Sequence, residues 1–267
     1  METIAFIGGG NMASAILGGL IAQGMAPAQI TVIDPGADQR AHLQASYGVR
    51  TTDDVTAGCA EADTVVLAVK PQVIAQVAKR VAGAFKGKLL ISIAAGGSIA
   101  RLEAFFGPMA IVRTMPNTPA LLGLGATGIF ANDRVDAAQR ARAQTIVQAF
   151  GLCVDLPRED LLDAVTAVSG SGPAYFFLLI EEMIRAGAGL GLTREDATAL
   201  TLQTALGAAS MAAQGALPPE ELRRRVTSPN GTTHAAITSM RQDGFVDMVT
   251  RAMTACRDRA VALGKAE

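Results

Sequence analysis

The 267-residue chain has no tryptophan, two tyrosines, two histidines and three cysteines. Cys59, Cys153 and Cys256 stand far apart and are odd in number, so they make neither a metal-ligand cluster nor a disulfide framework. A reducing cytoplasm and no bound metal are the expectations. Charged residues are only 18% of the chain, and 23 Lys plus Arg against 24 Asp plus Glu leave a net charge of −1. That balance offers no basic face for nucleic acid. With 50% hydrophobic residues the chain is not a disordered polymer, and its length suits one large domain or two modest ones. The charge-free run 197–219 carries three Thr, two Gln, a Ser and two Gly and ends in Pro-Pro. It lacks the roughly 20 predominantly apolar residues of a spanning helix. Glu2, with no basic segment around it, gives no signal-peptide pattern. No membrane association is expected.

Short apolar or β-branched runs recur at 3–7, 30–33, 64–68, 89–93 and 110–114, each bounded by Gly, Pro or Asp. Runs apolar on both faces are what a buried parallel sheet requires. Segments of helical length, 11–23, 38–47 and 72–85, lie between them. This cadence predicts an α/β fold, a Rossmann-type doubly wound sheet. Strands at 126–130 and 153–156 flank a further helix at about 135–150. Beyond Pro157 no strand-length run recurs. Helices are expected at 159–168, 173–187, 194–214, 219–226, 233–243 and 245–263, with Thr193 as an N-cap before Glu195 and Asp196. The chain therefore reads as an α/β domain, 1–157, followed by an all-helical domain, 158–267. The 197–219 stretch has no charged face to turn to water, and a second apolar helix covers 175–180. A partner chain is expected to cover them, so 158–267 reads as a dimerisation region.

Gly8-Gly9-Gly10-Asn11-Met12-Ala13 follows the first strand and opens a helix, with the spacing of a dinucleotide fingerprint. Asp34 closes the next strand, where a carboxylate accepts from ribose hydroxyls and repels a 2′-phosphate; it is alternatively a turn residue before Pro35-Gly36. Three further strand ends carry special loops: Ala68-Val69-Lys70-Pro71, Ile93-Ala94-Ala95 and Met115-Pro116-Asn117-Thr118-Pro119. Ligands of open α/β sheets bind at such ends. Ser169-Gly170-Ser171-Gly172-Pro173 and Thr227-Ser228-Pro229-Asn230-Gly231-Thr232-Thr233 are hydroxyl-rich turns leading into helices, suited to cradling a carboxylate or simply to capping. His42 and His234 are the only histidines, and no general acid stands out.

Taken together, these motifs resemble the pyrroline-5-carboxylate reductases over nearly the whole chain. The resemblance rests on Ile7 to Met12, Ala68 to Pro71, Met115 to Pro119, Asp163 to Thr166 with Ser169 to Tyr175, and Val226 to Thr233. It implies NADPH or NADH as cofactor, contacted by Ile7, Gly8, Gly9, Gly10, Asn11, Met12, Asp34, Ala68, Val69, Lys70, Pro71, Ile93, Ala94, Ala95, Pro116 and Asn117. It implies Glu159, Thr166, Ser228, Asn230, Gly231, Thr232 and Thr233 at the substrate, with Thr233 and Glu159 as catalytic residues. It also implies a homodimer through the C-terminal helices, with rings of dimers as larger assemblies. Two positions depart from the family pattern. Asn230 stands where glycine is usual and tolerates positive φ, and His234 stands where many members have an apolar residue. A β-hydroxyacid dehydrogenase would want a lysine on the helix after its glycine-rich turn, and 169–192 contains none. A non-catalytic redox sensor would have no need of Glu159, Thr166 and Thr233.

Overall fold

The computed structural model describes residues 2–81, 83–94 and 97–266. The chain divides into two compact units, Met1–Ser171 with Cys256–Glu267, and Gly172–Ala255. The first unit runs β1 (Ile4–Ile7), α1 (Asn11–Ala22), β2 (Ile30–Ile33), α2 (Ala37–Tyr47), β3 (Arg50–Thr52), α3 (Val55–Ala60), β4 (Thr64–Leu67), α4 (Ile74–Arg80), β5 (Leu89–Ser92), α5 (Ile99–Phe106), β6 (Ala110–Met115), β7 (Gly125–Ala131), α6 (Ala137–Gln148), β8 (Gly151–Asp155) and α7 (Leu161–Val165). The strands form one sheet in the order β3-β2-β1-β4-β5-β6-β7-β8. All neighbours are parallel except β6 and β7.

Alternation along β1 shows why the strands read as apolar throughout. Ile4 and Phe6 enter a core with Ile16 and Leu17 of α1, Leu43 of α2 and Ile146 of α6. Ala5 and Ile7 enter the opposite layer with Val55 and Cys59 of α3, Val77 of α4 and Leu102 of α5. Successive side chains point to opposite faces, and helices cover both. Burial in this second layer pushes the Cys59 thiol up to about 12, with Lys88 opposing, so it stays protonated and inert near neutral pH.

Register does the positioning. Ile7 pairs with Ile33 on one side and with Leu67 on the other. One step further, the Gly8 amide donates to Ile33 O (2.8 Å), Ala68 to Ile7 O (2.8 Å) and Asp34 to Thr52 O (3.0 Å). The ends of β1, β2 and β4 therefore lie level, which sets Gly8, Asp34 and Ala68 side by side.

Several elements differ from the sequence expectation. β3 is three residues, Arg-Thr-Thr, at a sheet edge, too short and polar to show a hydrophobic pattern. The short α3 and α5 are set by caps: Asp54 accepts from the Thr56 and Ala57 amides (2.9 and 3.1 Å), and Ser98 accepts from the Arg101 amide (3.2 Å). The expected helix at 72–85 ends at Arg80, after a 3-10 turn over Pro71–Val73. The turn expected at 169–173 is instead a π-helical turn, Thr166–Gly170, closed by the Ser171 amide on Thr166 O (2.8 Å). It joins α7 to α8 (Gly172–Gly189) without a break. The change of pattern at 157 marks the end of the sheet, since β8 closes at Asp155. The compact units part instead after Ser171.

The second unit comprises α8, α9 (Arg194–Ala213), α10 (Pro219–Arg225), α11 (Thr232–Gln242) and the first part of α12 (Phe245–Ala266). Thr193 caps α9 as expected, its hydroxyl accepting from the Asp196 amide at 3.1 Å. α9 buries only Ala197 and Thr201, while Leu200, Leu206 and Met211 are more than half exposed. On α8, Phe176, Phe177 and Leu178 are at least 60% exposed. The run Leu161–Gly189, rather than 197–219, is long and apolar enough, by length and composition, to cross a membrane. Charged Glu181, Glu182 and Arg185 interrupt its far end. Apolar faces of this extent mark an interface. Light scattering of the intact protein should give at least twice the mass of one chain. Ala209→Glu, on the exposed side of α9, should reduce that to a single-chain mass or leave insoluble protein. Unchanged mass would remove α9 from the interface.

Candidate active site

Each glycine of the Gly8–Gly10 turn has a different reason to be there. Gly8 has φ +98°, and a Cβ on it would lie 2.5 Å from Ala68 O. Only glycine fits where β1 and β4 end level. A Cβ on Gly9 would lie 2.6 Å from Leu43 Cδ1. Around Gly10 the situation reverses: a Cβ there would meet nothing within 4 Å. α1 starts at this open space with no side-chain cap and no acidic residue in its first turn. The leading amides of a helix have no intrahelical acceptor, and the helix dipole favours an anion beside them. Ala13, 1% exposed, lets α1 lie close on the sheet. The chain thus presents the cradle that a pyrophosphate needs.

Asp34 takes the turn role open to it in the sequence and adds a tie to the glycine turn. Its Oδ2 accepts from the Gly9 amide (2.9 Å), and its Oδ1 from the Gly36 amide (2.8 Å). It therefore ties its own turn to the glycine turn, and each oxygen keeps further acceptor capacity. Gln39 Nε2 donates to Gly9 O (2.5 Å) and completes the tie. The Arg40 guanidinium donates to Asp34 O (2.7 Å) and Pro35 O (3.0 Å) and lies 3.5 Å from Asp53.

Further along the strand ends, Ala68, Val69 and Ile93 are half-buried, Ala94 is buried and Lys70 is exposed. Ala95 lies outside the described residues. A cavity of about 390 Å³ opens here, entirely within the first unit. Pro71, Ala94 and Met115 line it from the sheet side, Leu162, Asp163 and Thr166 from α7, and Cys256 and Arg259 from α12. Among the expected site residues, Pro71, Ala94 and Thr166 come together at this cavity. Thr166 Oγ1 donates to Leu162 O (2.9 Å).

Arg113, Asp163, Cys256 and Arg259 also line this cavity, though the sequence analysis assigns none of them to the site. Arg113 had a readable signal, a lone charge within a buried strand. Its side chain is 13% exposed, and its guanidinium donates to Glu159 Oε1 (3.0 Å). The same oxygen accepts from the Ile99 amide (2.8 Å) at the start of α5. Glu159, expected at the substrate, is thus engaged as a bracket between β6 and α5. Asn117, expected at the cofactor, is likewise spent on the protein. Its Nδ2 donates to Ser169 O (3.0 Å) and its Oδ1 accepts from the Ala126 amide (2.9 Å). Buried beside Pro116, it ties the end of β6 to the π-helical turn. The Cys256 thiol lies 3.2 Å from Ser171 Oγ.

In the second unit, Ser228 to Gly231 form a type II turn closed by the Gly231 amide on Ser228 O (3.0 Å). Asn230 has φ +60°, the one non-glycine residue with positive φ among the described residues. Asparagine therefore serves at this position, as its tolerance of positive φ implied. A Cβ on Gly231 would lie 2.5 Å from Ser228 Oγ, so a side chain here would force the Ser228 hydroxyl to turn away. Thr232 and Thr233 open α11, whose first amides carry no side-chain cap. Thr232 and His234 are exposed and Thr233 is half-buried. Amides and hydroxyls gathered at a helix start suit a carboxylate.

Comparison with known proteins identifies the family. Residues 159–263 match the family model described as pyrroline-5-carboxylate reductase dimerisation. Residues 3–96 match the model described as NADP oxidoreductase coenzyme F420-dependent. The pyrroline-5-carboxylate reductase of Pseudomonas aeruginosa is 52% identical, covering 98% of this chain and 97% of that protein. Among solved structures, the enzyme from Coxiella burnetii matches with a TM-score of 0.95 at 43% identity over 98% of both chains. The Plasmodium falciparum pyrroline carboxylate reductase, solved with NADP bound, matches with a TM-score of 0.87 at 30% identity over 98% of both chains. The chain belongs to the pyrroline-5-carboxylate reductases, NAD(P)H-dependent oxidoreductases that reduce pyrroline-5-carboxylate to proline.

Proposed function

We propose that residues 1–157 hold NADH or NADPH, and that residues 158–267 bind the cyclic imine and carry the homodimer contact, with rings of dimers as a larger assembly. The observation that supports the cofactor role is the uncapped, acid-free start of α1 beneath the open space at Gly10. Asn11 and Met12 offer their amides to the pyrophosphate there, and Asp34 offers its remaining acceptor capacity to the ribose. Ala68 to Pro71, Ile93, Ala94 and Pro116 form the floor along which the cofactor lies. Bound in this way, the nicotinamide supplies the hydride.

The imine needs little proton chemistry from the protein. In water it is protonated to an iminium, already activated at carbon. Thr233 accepts from the iminium N–H through its hydroxyl and so orients the C=N bond. Ser228, Asn230, Gly231 and Thr232 hold the carboxylate through amides and side-chain donors. Thr166 borders the cavity from the side of α7, and Glu159 acts by holding Arg113 and α5 in place. Holding two reactants in a near-attack arrangement contributes several kcal/mol, up to about 7–11 in well-oriented cases. Three cysteines, odd in number and far apart in sequence, suit a reducing compartment, the cytoplasm.

Three variants test this division of labour. Gly10→Ala should fold and melt nearly as the parent, losing about 1 kcal/mol at most from the cap. It should lose cofactor affinity strongly in fluorescence titration, because its methyl occupies the pyrophosphate's place; unchanged affinity would move the cofactor elsewhere. Asp34→Ser should weaken both cofactors, since the Gly9 tie is lost, and NADH more than NADPH. A lost hydrogen bond to a charged group costs about 1.5–3 kcal/mol, roughly tenfold or more in NADH affinity. Loss confined to NADH would assign Asp34 to the ribose alone. Thr233→Ala should lower kcat/KM with the cofactor dissociation constant intact, while Thr233→Ser keeps most activity. Equal damage from both would mean that the methyl group matters and the hydroxyl does not.

A further inference from the structure

Asp163 is the group in the cavity that the proposed chemistry leaves unused. Its carboxylate makes no hydrogen bond among the described residues, whereas neighbouring carboxylates are engaged. Glu159 accepts from Arg113 and the Ile99 amide, and Asp160 from Arg158 (2.9 and 3.0 Å). A partly desolvated carboxylate without a partner is costly. Burial raises its pKa from the ordinary aspartate value, with Arg113 opposing and Asp160 and Glu159 adding to the rise. The surrounding walls are largely apolar, including Ala94, Met115 and Leu162. Arg113 on β6 is already paired with Glu159. Arg259 and Cys256 face the cavity from α12.

The location supplies the missing partner. In a doubly wound sheet the ligand crosses the carboxyl ends of the strands. With a pyrophosphate at Gly10 beside β1, the other half of a bound cofactor would extend toward the ends of β4, β5 and β6, where the cavity lies. We propose that Asp163 is an electrostatic partner of the nicotinamide, its carboxylate stabilising the positive charge that the ring acquires on giving up hydride. The inference rests on the functional reading above.

The charge balance favours such a group. A hydride leaves C4 of the dihydronicotinamide with its electron pair and bonds to the imine carbon. The C=N π pair passes to nitrogen and neutralises the iminium, giving the secondary amine. One positive charge thus disappears from the substrate and one appears on the ring. A fixed carboxylate at the ring end favours the transfer without moving.

The test compares the two redox forms of the cofactor. For the full-length oligomer, dissociation constants of NADP⁺ and NADPH, and of NAD⁺ and NADH, are measured by calorimetry for the parent and Asp163→Asn. Asp163→Asn should weaken the oxidised forms about five- to tenfold, as expected for loss of one nearby charge in a partly shielded site. The reduced forms should change less than about twofold. Equal weakening of both forms, or no change in either, would overturn the proposal, because a packing role does not distinguish ring charge. Asp163→Ser serves as a second neutral variant, and Asp163→Glu should restore the parental ratio. A parent that fails to reduce pyrroline-5-carboxylate sinks the functional reading itself. A competent parent with an unaltered ratio in both neutral variants sinks this inference alone.

Discussion

The ladder that pairs β1 with β2 on one side and β4 on the other is the constraint on which the site depends. Because Ile7 is level with both Ile33 and Leu67, three strand ends arrive at the same height. That leaves Gly8 no room for a side chain beside Ala68 and brings the Asp34 carboxylate within reach of the Gly9 amide. A slip of one residue would exchange the two faces of β1, sending Phe6 out of one core layer and Ile7 out of the other. The burial that holds the register therefore also holds the glycine turn.

A second set of interactions shapes the cavity at the other strand ends. Arg113 is held by Glu159, and Glu159 is held in turn by the first amide of α5. Asn117 joins the end of β6, the start of β7 and the π-helical turn. None of these ties requires a ligand. They leave Asp163 and Thr166 on a wall whose backbone is fixed in advance, and such π-helical turns recur at functional sites. The net stability from a largely buried pair such as Arg113–Glu159 is modest, since the cost of desolvating both charges offsets much of their attraction; its value lies in geometry.

The helical unit follows a different logic. α8 and α9 meet through Gly187, where a Cβ would lie 3.2 Å from that of Ala197, and otherwise turn large apolar side chains outward. Both helices lie within residues 159–263, the part matched by the family's dimerisation model, which supports homo-oligomerisation. An element that must bury a full face, in a unit too small to cover it, uses a second chain as its core.

Much of this was legible in the residues. Local rules suffice for the Gly8–Gly10 turn, the buried strands, the Thr193 cap and the positive φ of Asn230, because each follows from sterics or hydrogen bonding within a few positions. The hydroxyl-rich stretch at 227–233 was likewise visible as a turn leading into a helix. The edge strand β3 and the short α3 and α5 were not, since three to eight residues carry too little periodicity and are settled by caps and packing. Glu159 and Asn117 belonged to the same recognisable motifs, yet their partners are 46 to 60 and 9 to 52 positions away. Only the folded chain decides whether such a side chain faces a ligand or braces the wall behind it, because that choice depends on which distant amide or guanidinium arrives first.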